Sequence, residues 1–420
     1  MVLRVINYTV EGPGPAVDLN TFDSLWVGRS GLIAATNQGD GVFGAGSSHF
    51  VRVEGAVVGY YGIYLGIDEN SNSLNRVLVA ADGIVSGTFR AVTMNSHSSE
   101  IANFGLIDGG VSINAVGPGI SQIHNAGEIY NHRFEGVGHF GTETLLLTNS
   151  GTIRGLDESF VASDFLGGAI ERIVNSGAMF GNILLGRGAD TYDGRGGRVE
   201  GTVYGGADSD TFFAGSAIDV FDGGAGGNDR LDFRTTTGVR VYLDGSGQNT
   251  GTAAGDTYVS IEYLLGSATG ADLFVGTSAN NLFRGYGGAD TLSGGAGADN
   301  LGGGTGIDRL TGGLGDDWFV FLTRGDGGDT ITDFRGVAGD NDRFQIAAAF
   351  GGGLVAGALA ASQFQSRADN LAQDGNDRFI FRTADATLWF DSNGNGAGGL
   401  TLVADLQTGA VVTAADILLI

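Results

Sequence analysis

Two periodicities of apolar and polar positions divide the chain. In the first half a short phrase, Gly-x-apolar, recurs with its glycines at Gly31, Gly55, Gly83, Gly105, Gly127, Gly151, Gly177 and Gly201, at spacings of 24, 28, 22, 22, 24, 26 and 24 residues. Two positions after each glycine stand Ile33, Val57, Val85, Ile107, Ile129, Ile153, Met179 and Val203. Such residues pack well on a pleated face. One phrase per coil predicts a parallel β-helix in which they form a single buried row, each coil covering the edge of the last. Four consecutive coils place Asn two residues before the glycine, at Asn103, Asn125, Asn149 and Asn175. Aligned amides can hydrogen-bond up a stack; the plainer alternative is that Asn-x-Gly marks turns.

From Ser267 to Val320 the period shortens to nine. The segment divides without a slip into SATGADLFV, GTSANNLFR, GYGGADTLS, GGAGADNLG, GGTGIDRLT and GGLGDDWFV. Position six is Asp272, Asn281, Asp290, Asp299, Asp308 and Asp317, and position eight is Phe274, Phe283, Leu292, Leu301, Leu310 and Phe319. Glycines permit a tight turn and x-apolar-x a three-residue strand, so each nonapeptide makes half a coil. Turns on one edge are then eighteen residues apart. Asp272 faces Asp290, Asp290 faces Asp308, Asn281 faces Asp299, and Asp299 faces Asp317. A disordered Gly/Asp linker would not keep its apolar positions in phase.

Composition and charge narrow the chemistry. Gly supplies 78 of 420 residues and Pro only 3, which fits repeated turns and neither collagen nor a Pro-rich linker. The net charge is −25 and the chain contains no Lys, so nucleic acid and anionic membranes are poor partners and Schiff-base chemistry is excluded. Without Cys there are no disulfides, zinc thiolates or cysteine nucleophiles. No stretch approaches 18 uninterrupted apolar residues, so no transmembrane helix is expected.

Stacked Asp rows repel unless a cation lies between them. Two carboxylates with backbone carbonyls from adjacent turns supply about six oxygen ligands, which suits Ca²⁺ better than the smaller, strongly hydrated Mg²⁺. The candidate ligands are the carboxylates of Asp272, Asp290, Asp299, Asp308, Asp317 and Asp329. The turns Gly285, Gly287, Gly288; Gly294, Gly295, Ala296, Gly297; Gly303, Gly304, Thr305, Gly306; and Gly312, Gly313, Leu314, Gly315 accompany them. Degraded or lengthened copies upstream add Asp190, Asp210 and Asp229, and the weakest site of the regular run involves Asn281.

The nonapeptides resemble the RTX motif, G-G-x-G-x-D-x-U-x, of the hemolysin-type calcium-binding proteins. The segment 255–276 and the phrase GGDTITDF (327–334) resemble the shoulders of RTX rolls. FGLIDG, NAGEIYN, NSGTIRG and NSGAMFG resemble the right-handed β-helices of bacterial surface and autotransporter-like proteins, over roughly residues 25–205. These resemblances imply an all-β chain. A right-handed parallel β-helix (1–205) is expected to continue into an RTX parallel β-roll (206–334), and that into a β-rich cap (335–420).

The segment from Asp377 onward alternates apolar and polar residues between turn clusters and reads as strands. Its Asp416-Ile417-Leu418-Leu419-Ile420 resembles the end of serralysin-type RTX exoproteins, where an acidic residue followed by apolar ones belongs to an uncleaved type I secretion signal. The first residues show no Sec-type leader, which agrees with that route. Extracellular-module calcium sites, with dissociation constants of roughly 10⁻⁴–10⁻³ M, stay empty in the cytosol and fill outside. Asp391-Ser-Asn-Gly-Asn-Gly is either a further calcium loop or a solvated hairpin turn.

No H-E-x-x-H and no G-x-S-x-G occurs, which removes serralysin protease and lipase-elbow chemistry. His124, Tyr130, His132, Arg133 and His139 lie close in sequence, near Glu135, and are the candidate site of a polysaccharide lyase or epimerase. The alternative is that they decorate an inserted loop. Arg324-Gly325-Asp326 spells an integrin-binding tripeptide, an accident to be expected in so Gly- and Asp-rich a chain. The reading is a secreted, calcium-folded structural protein of a surface layer, matrix or filament, or an adhesin. Its partners would be type I secretion machinery and either cell-surface polysaccharide or copies of itself, with a polysaccharide-active enzyme as the rival.

Overall fold

The computed structural model describes residues 2–20, 22–46, 48–66, 74–163, 168–336 and 339–420. Among them every regular element is a strand or a three-residue 3-10 turn, so the chain is all-β. Among the described residues no helix is long and apolar enough to cross a membrane. The chain forms two compact units: Met1–Asp229 with Asp256–Ser260, and Arg230–Gly255 with Ile261–Ile420.

The first unit is a stack of parallel coils. Ile33 pairs with Val57, Val57 with Val85, Val85 with Ile107, Ile107 with Ile129, Ile129 with Ile153, and Ile153 with Met179. All seven side chains are fully buried. The glycine two positions earlier has a steric cause. A Cβ on Gly105, Gly127, Gly151 or Gly177 would overlap the carbonyl oxygen of the corresponding glycine one coil earlier. Close backbone approach, rather than an unusual φ, therefore sets the phrase.

The row departs from the expected spacing at its end. Val199, 20 residues after Met179, pairs with it, while Val203 stacks on Ile183. A tight turn, closed by the Gly197 N–H to the Gly194 carbonyl at 3.1 Å, shortens this coil. The eighth phrase is Gly197-Arg198-Val199, not Gly201-Thr202-Val203.

The asparagines form a ladder. Asn103 Nδ2 donates to Asn125 Oδ1 at 2.7 Å, Asn125 to Asn149 and Asn149 to Asn175 at 2.8 Å each, and Asn175 to the Tyr192 hydroxyl at 3.3 Å. All four amides are buried, and each also reaches a backbone carbonyl of the coil that follows. This satisfaction makes polar side chains tolerable inside the coil.

Within the regular run, from Phe274 to Phe319, the second unit keeps the eighteen-residue register. Leu264, Phe283, Leu301, Phe319 and Phe344 stack in parallel strands of one sheet. Val241, Phe274, Leu292, Leu310, Ile331 and Leu406 stack in a second. Alternate nonapeptides thus feed opposite sheets of a parallel β-roll, and the position-eight side chains meet inside it, every one fully buried. Toward the C-terminus, Phe379–Arg382, Thr387–Asp391 and Leu400–Leu406 pair antiparallel, and Ile417–Leu419 runs parallel to Arg343–Ile346.

Candidate calcium sites

Each glycine of the turn answers a different demand. At position two, Gly295, Gly304 and Gly313 take φ of 107°, 92° and 109°, and at position four Gly288, Gly297, Gly306 and Gly315 take 134°, 107°, 145° and 128°. Such angles are open to glycine and strained for other residues. Tyr286 breaks the rule at position two with φ 72°, a conformation costing a side chain roughly 1–2 kcal/mol. The position-one glycines serve otherwise. A Cβ on Gly285, Gly294, Gly303 or Gly312 would overlap Oδ2 of Asp290, Asp299, Asp308 or Asp317, the acid of the same repeat. The missing side chain makes the cradle in which that oxygen sits.

The acids form two columns. On one edge the Asp272 N–H donates to Asp290 Oδ1 at 2.8 Å, Asp290 to Asp308 at 2.7 Å, and Asp308 to Asp329 at 2.9 Å. On the other, the Asn281 N–H donates to Asp299 Oδ1 at 2.7 Å, Asp299 to Asp317 at 2.8 Å, and Asp317 to Asp342 at 3.0 Å. Oδ1 of each acid thus ties two coils together. Oδ2 of Asp290, Asp299, Asp308, Asp317 and Asp329 is buried and meets no hydrogen-bond partner among the described residues. A buried carboxylate oxygen without a donor is expensive. Burial, before any neighbouring charge, pushes the carboxyls of Asp290 and Asp299 up to about 7, of Asp308 and Asp317 up to about 6, and of Asp329 up to about 8.

The donor set fits a hard cation. Among the described residues no three His, Cys, Asp or Glu side chains converge to hold a metal, so a cation beside these acids would need backbone carbonyls to complete its shell. Oxygen donors without nitrogen or sulfur suit Ca²⁺ rather than a transition metal.

Three segments, residues 204–232, 268–301 and 302–321, match the family model of the RTX calcium-binding nonapeptide repeat, in four copies. The chain carries RTX calcium-binding repeats. No curated protein matches it.

Two RTX turns depart from the others. Asp272 Oδ2 accepts the Ser267 N–H at 2.7 Å and its hydroxyl at 3.1 Å, so a serine at position one satisfies the oxygen bared elsewhere. Asn281 accepts the Thr277 N–H at 2.8 Å on Oδ1 and turns a bare Nδ2, a donor, into its turn. In the first unit the degraded copies form a column of their own. The Asp190 N–H donates to Asp210 Oδ1 at 2.9 Å and the Asp210 N–H to Asp229 Oδ1 at 2.8 Å, and Oδ2 of Asp190 and Asp210 is buried without a hydrogen-bond partner among the described residues. Burial raises those two carboxyls to about 9 and about 7. Sequence spacing missed Asp342, and also Asp219, whose N–H donates to Asp256 Oδ1 at 2.9 Å. Loops of irregular length precede these acids. The readable signal was an Asp just before a short apolar strand, as in Asp342-Arg-Phe344 and Asp256-Thr-Tyr258.

The other candidates do not converge. His124 is exposed on Ile120–Asn125 in one sheet of the first unit, and His139 is buried on Val137–His139 in another, with Nδ1 2.6 Å from Glu171 Oε1. Burial lowers the His139 pKa to about 4. His132 is exposed beside Tyr130, ring centroids 5.5 Å apart, and the Arg133 N–H donates to Asn131 Oδ1. Arg324-Gly325-Asp326 is a 3-10 turn whose Asp326 is buried, accepting the Leu322 and Thr323 N–H groups. Asp391 opens the connection between two antiparallel strands, accepting the Asn393 N–H at 3.0 Å.

Proposed function

We propose that this protein is an extracellular structural or adhesive component, part of a surface layer, matrix or filament, whose repeats fold on calcium after export. The observation that carries the reading is the two columns of buried Asp oxygens, at Asp290, Asp308 and Asp329 and at Asp299 and Asp317, that meet no donor among the described residues. In water-poor surroundings these charges oppose folding, and an ion that binds only the folded turns converts its binding energy into folding energy. The ligands would be those carboxylates with carbonyls of the Gly285–Gly288, Gly294–Gly297, Gly303–Gly306 and Gly312–Gly315 turns; Asp190, Asp210 and Asp229 would serve the first unit. Calcium supplies the positive charge, and the chain holds its own oxygens in place through the Oδ1 hydrogen bonds.

Export by a type I route, with Asp416–Ile420 as the recognised segment, fits the same logic. Asp416 is buried and paired with Arg335 at 2.6 Å, and Ile417–Leu419 is a strand in the second unit. A transporter would therefore read that segment before the unit folds. Titrating calcium into chelated protein while following circular dichroism tests the function. Gain of β structure with Ca²⁺ and none with equal Mg²⁺ is expected, and a chain fully folded in excess chelator refutes the reading.

A further inference from the structure

On the outer face of the coils that carry the Asp turns, one place in the second unit breaks the repeat. Arg284 lies opposite Gly302 and Tyr286 opposite Gly304, and Val320 and Leu322 follow on the next coil. The middle coil thus offers two glycines between coils that carry side chains. The result is a cavity of about 200 Å³ with Gly302 and Gly304 as its floor and Arg284, Tyr286, Val320 and Leu322 as its walls. Its walls stand two coil spacings apart, roughly 9–10 Å between backbones, which leaves room for one flat ring and no further strand. Tyr286 and Leu322 remain 40% and 46% exposed, so solvent has access.

Two features of the walls go beyond what stacking needs. Tyr286 holds a left-handed φ at a position where the three following repeats have glycine. Residues that violate a local rule without a packing gain point to a use. Arg284 is the second feature. Its Nη1 donates to the carbonyls of Phe283 and Asn300 and its Nη2 to Asn300 Oδ1, all neutral acceptors. Arg195, Arg234 and Arg382 each hold an Asp, but no ion pair forms at Arg284 among the described residues, in a chain of net charge −25. Its Nε lies over Gly302 and makes no hydrogen bond among the described residues. The acid at the edge of the cavity, Asp326, is engaged by the N–H groups of Leu322 and Thr323 and the Thr323 hydroxyl.

We propose that this slot binds a carboxylate carried on a compact ring, the Nε edge of Arg284 taking the carboxylate while Tyr286 and Leu322 cover the ring. An unpaired guanidinium beside an aromatic wall matches that chemistry, because the planar fork recognises carboxylates and the ring needs an apolar cover. The ring is either a sugar acid or an aromatic acid, and the assay separates them.

The calcium-loaded full chain is titrated calorimetrically with glucuronate and benzoate, and with glucose and benzyl alcohol as the neutral counterparts. Saturable binding of one or both acids without their neutral partners is expected, and which acid binds names the source. Arg284→Gln should weaken that binding at least about tenfold, the loss of one charge-assisted contact. Gly302→Leu should fill the slot and abolish it, since Gly302 has an ordinary φ and its nearest neighbour is the flexible Arg284 Cδ at 3.3 Å. Circular dichroism and the calcium midpoint, measured alongside, should be unchanged, which keeps failure of the slot separate from failure of calcium folding. Should Arg284→Gln not fold, Gly302→Leu decides alone. Binding of neither acid, equal binding of the neutral partners, or wild-type affinity in the variants overturns the proposal.

Discussion

The Asp299 backbone N–H donates to Asp317 Oδ1 at 2.8 Å, and Oδ1 of Asp299 in turn accepts the Asn281 N–H at 2.7 Å, while Oδ2 of both acids stays buried and bare. One side chain therefore serves two turns. Asp272 differs, because Ser267 already satisfies its Oδ2. Asp299→Ala should raise the calcium concentration at the folding midpoint several-fold, and more than Asp272→Ala does. Equal midpoints for the two variants in a circular dichroism titration would contradict the assignment.

Acid should substitute in part for calcium. Burial raises the folded-state carboxyls of Asp290 and Asp299 to about 7 and of Asp308 and Asp317 to about 6, from an ordinary 3.8. The folded chain then binds more protons than the unfolded one between pH ~4 and ~7. The calcium-free roll should be most stable below about pH 4 on this account and lose that stability as pH rises through 6 to 7. Circular dichroism of the chelated chain at pH 5 and pH 8 checks it, with more residual β structure expected at pH 5.

The asparagine ladder should carry weight in the first unit. Asn149 accepts from Asn125 and donates to Asn175, so Asn149→Leu removes both ladder hydrogen bonds, at a cost of about 0.5–1.5 kcal/mol each, while Asn125 keeps the Thr152 carbonyl and Asn175 the Gly177 N–H. A fall in the thermal midpoint of the first unit is expected. An unchanged midpoint would mean that the ladder is incidental to the stack.

Truncation tests the export route. A chain lacking residues from Asp416 onward should accumulate inside the producing cell, while Arg335→Ala, which loosens Asp416 only in the folded state, should still be exported. Normal secretion of the truncated chain would rule out the C-terminal route.

The RTX turns were legible in the chain because everything they need is local. Gly285, Gly294, Gly303 and Gly312 make room for an oxygen only five residues away, and a constant nine-residue period places each acid over the next without reference to the rest of the molecule. The coil row from Ile33 to Met179 was legible for the same reason, one glycine and one apolar residue per turn of the stack. Tertiary structure decided what depends on loop length and on side chains from different coils. Asp342 and Asp256 enter their columns across insertions whose length no period fixes, and Val199 displaces Val203 because a tight turn shortens its coil. His124 and His139, fifteen residues apart, part because alternate strands enter different sheets. The slot at Arg284 exists only where Gly302 and Gly304 stack between residues eighteen positions away on either side, a coincidence of register that no single repeat contains.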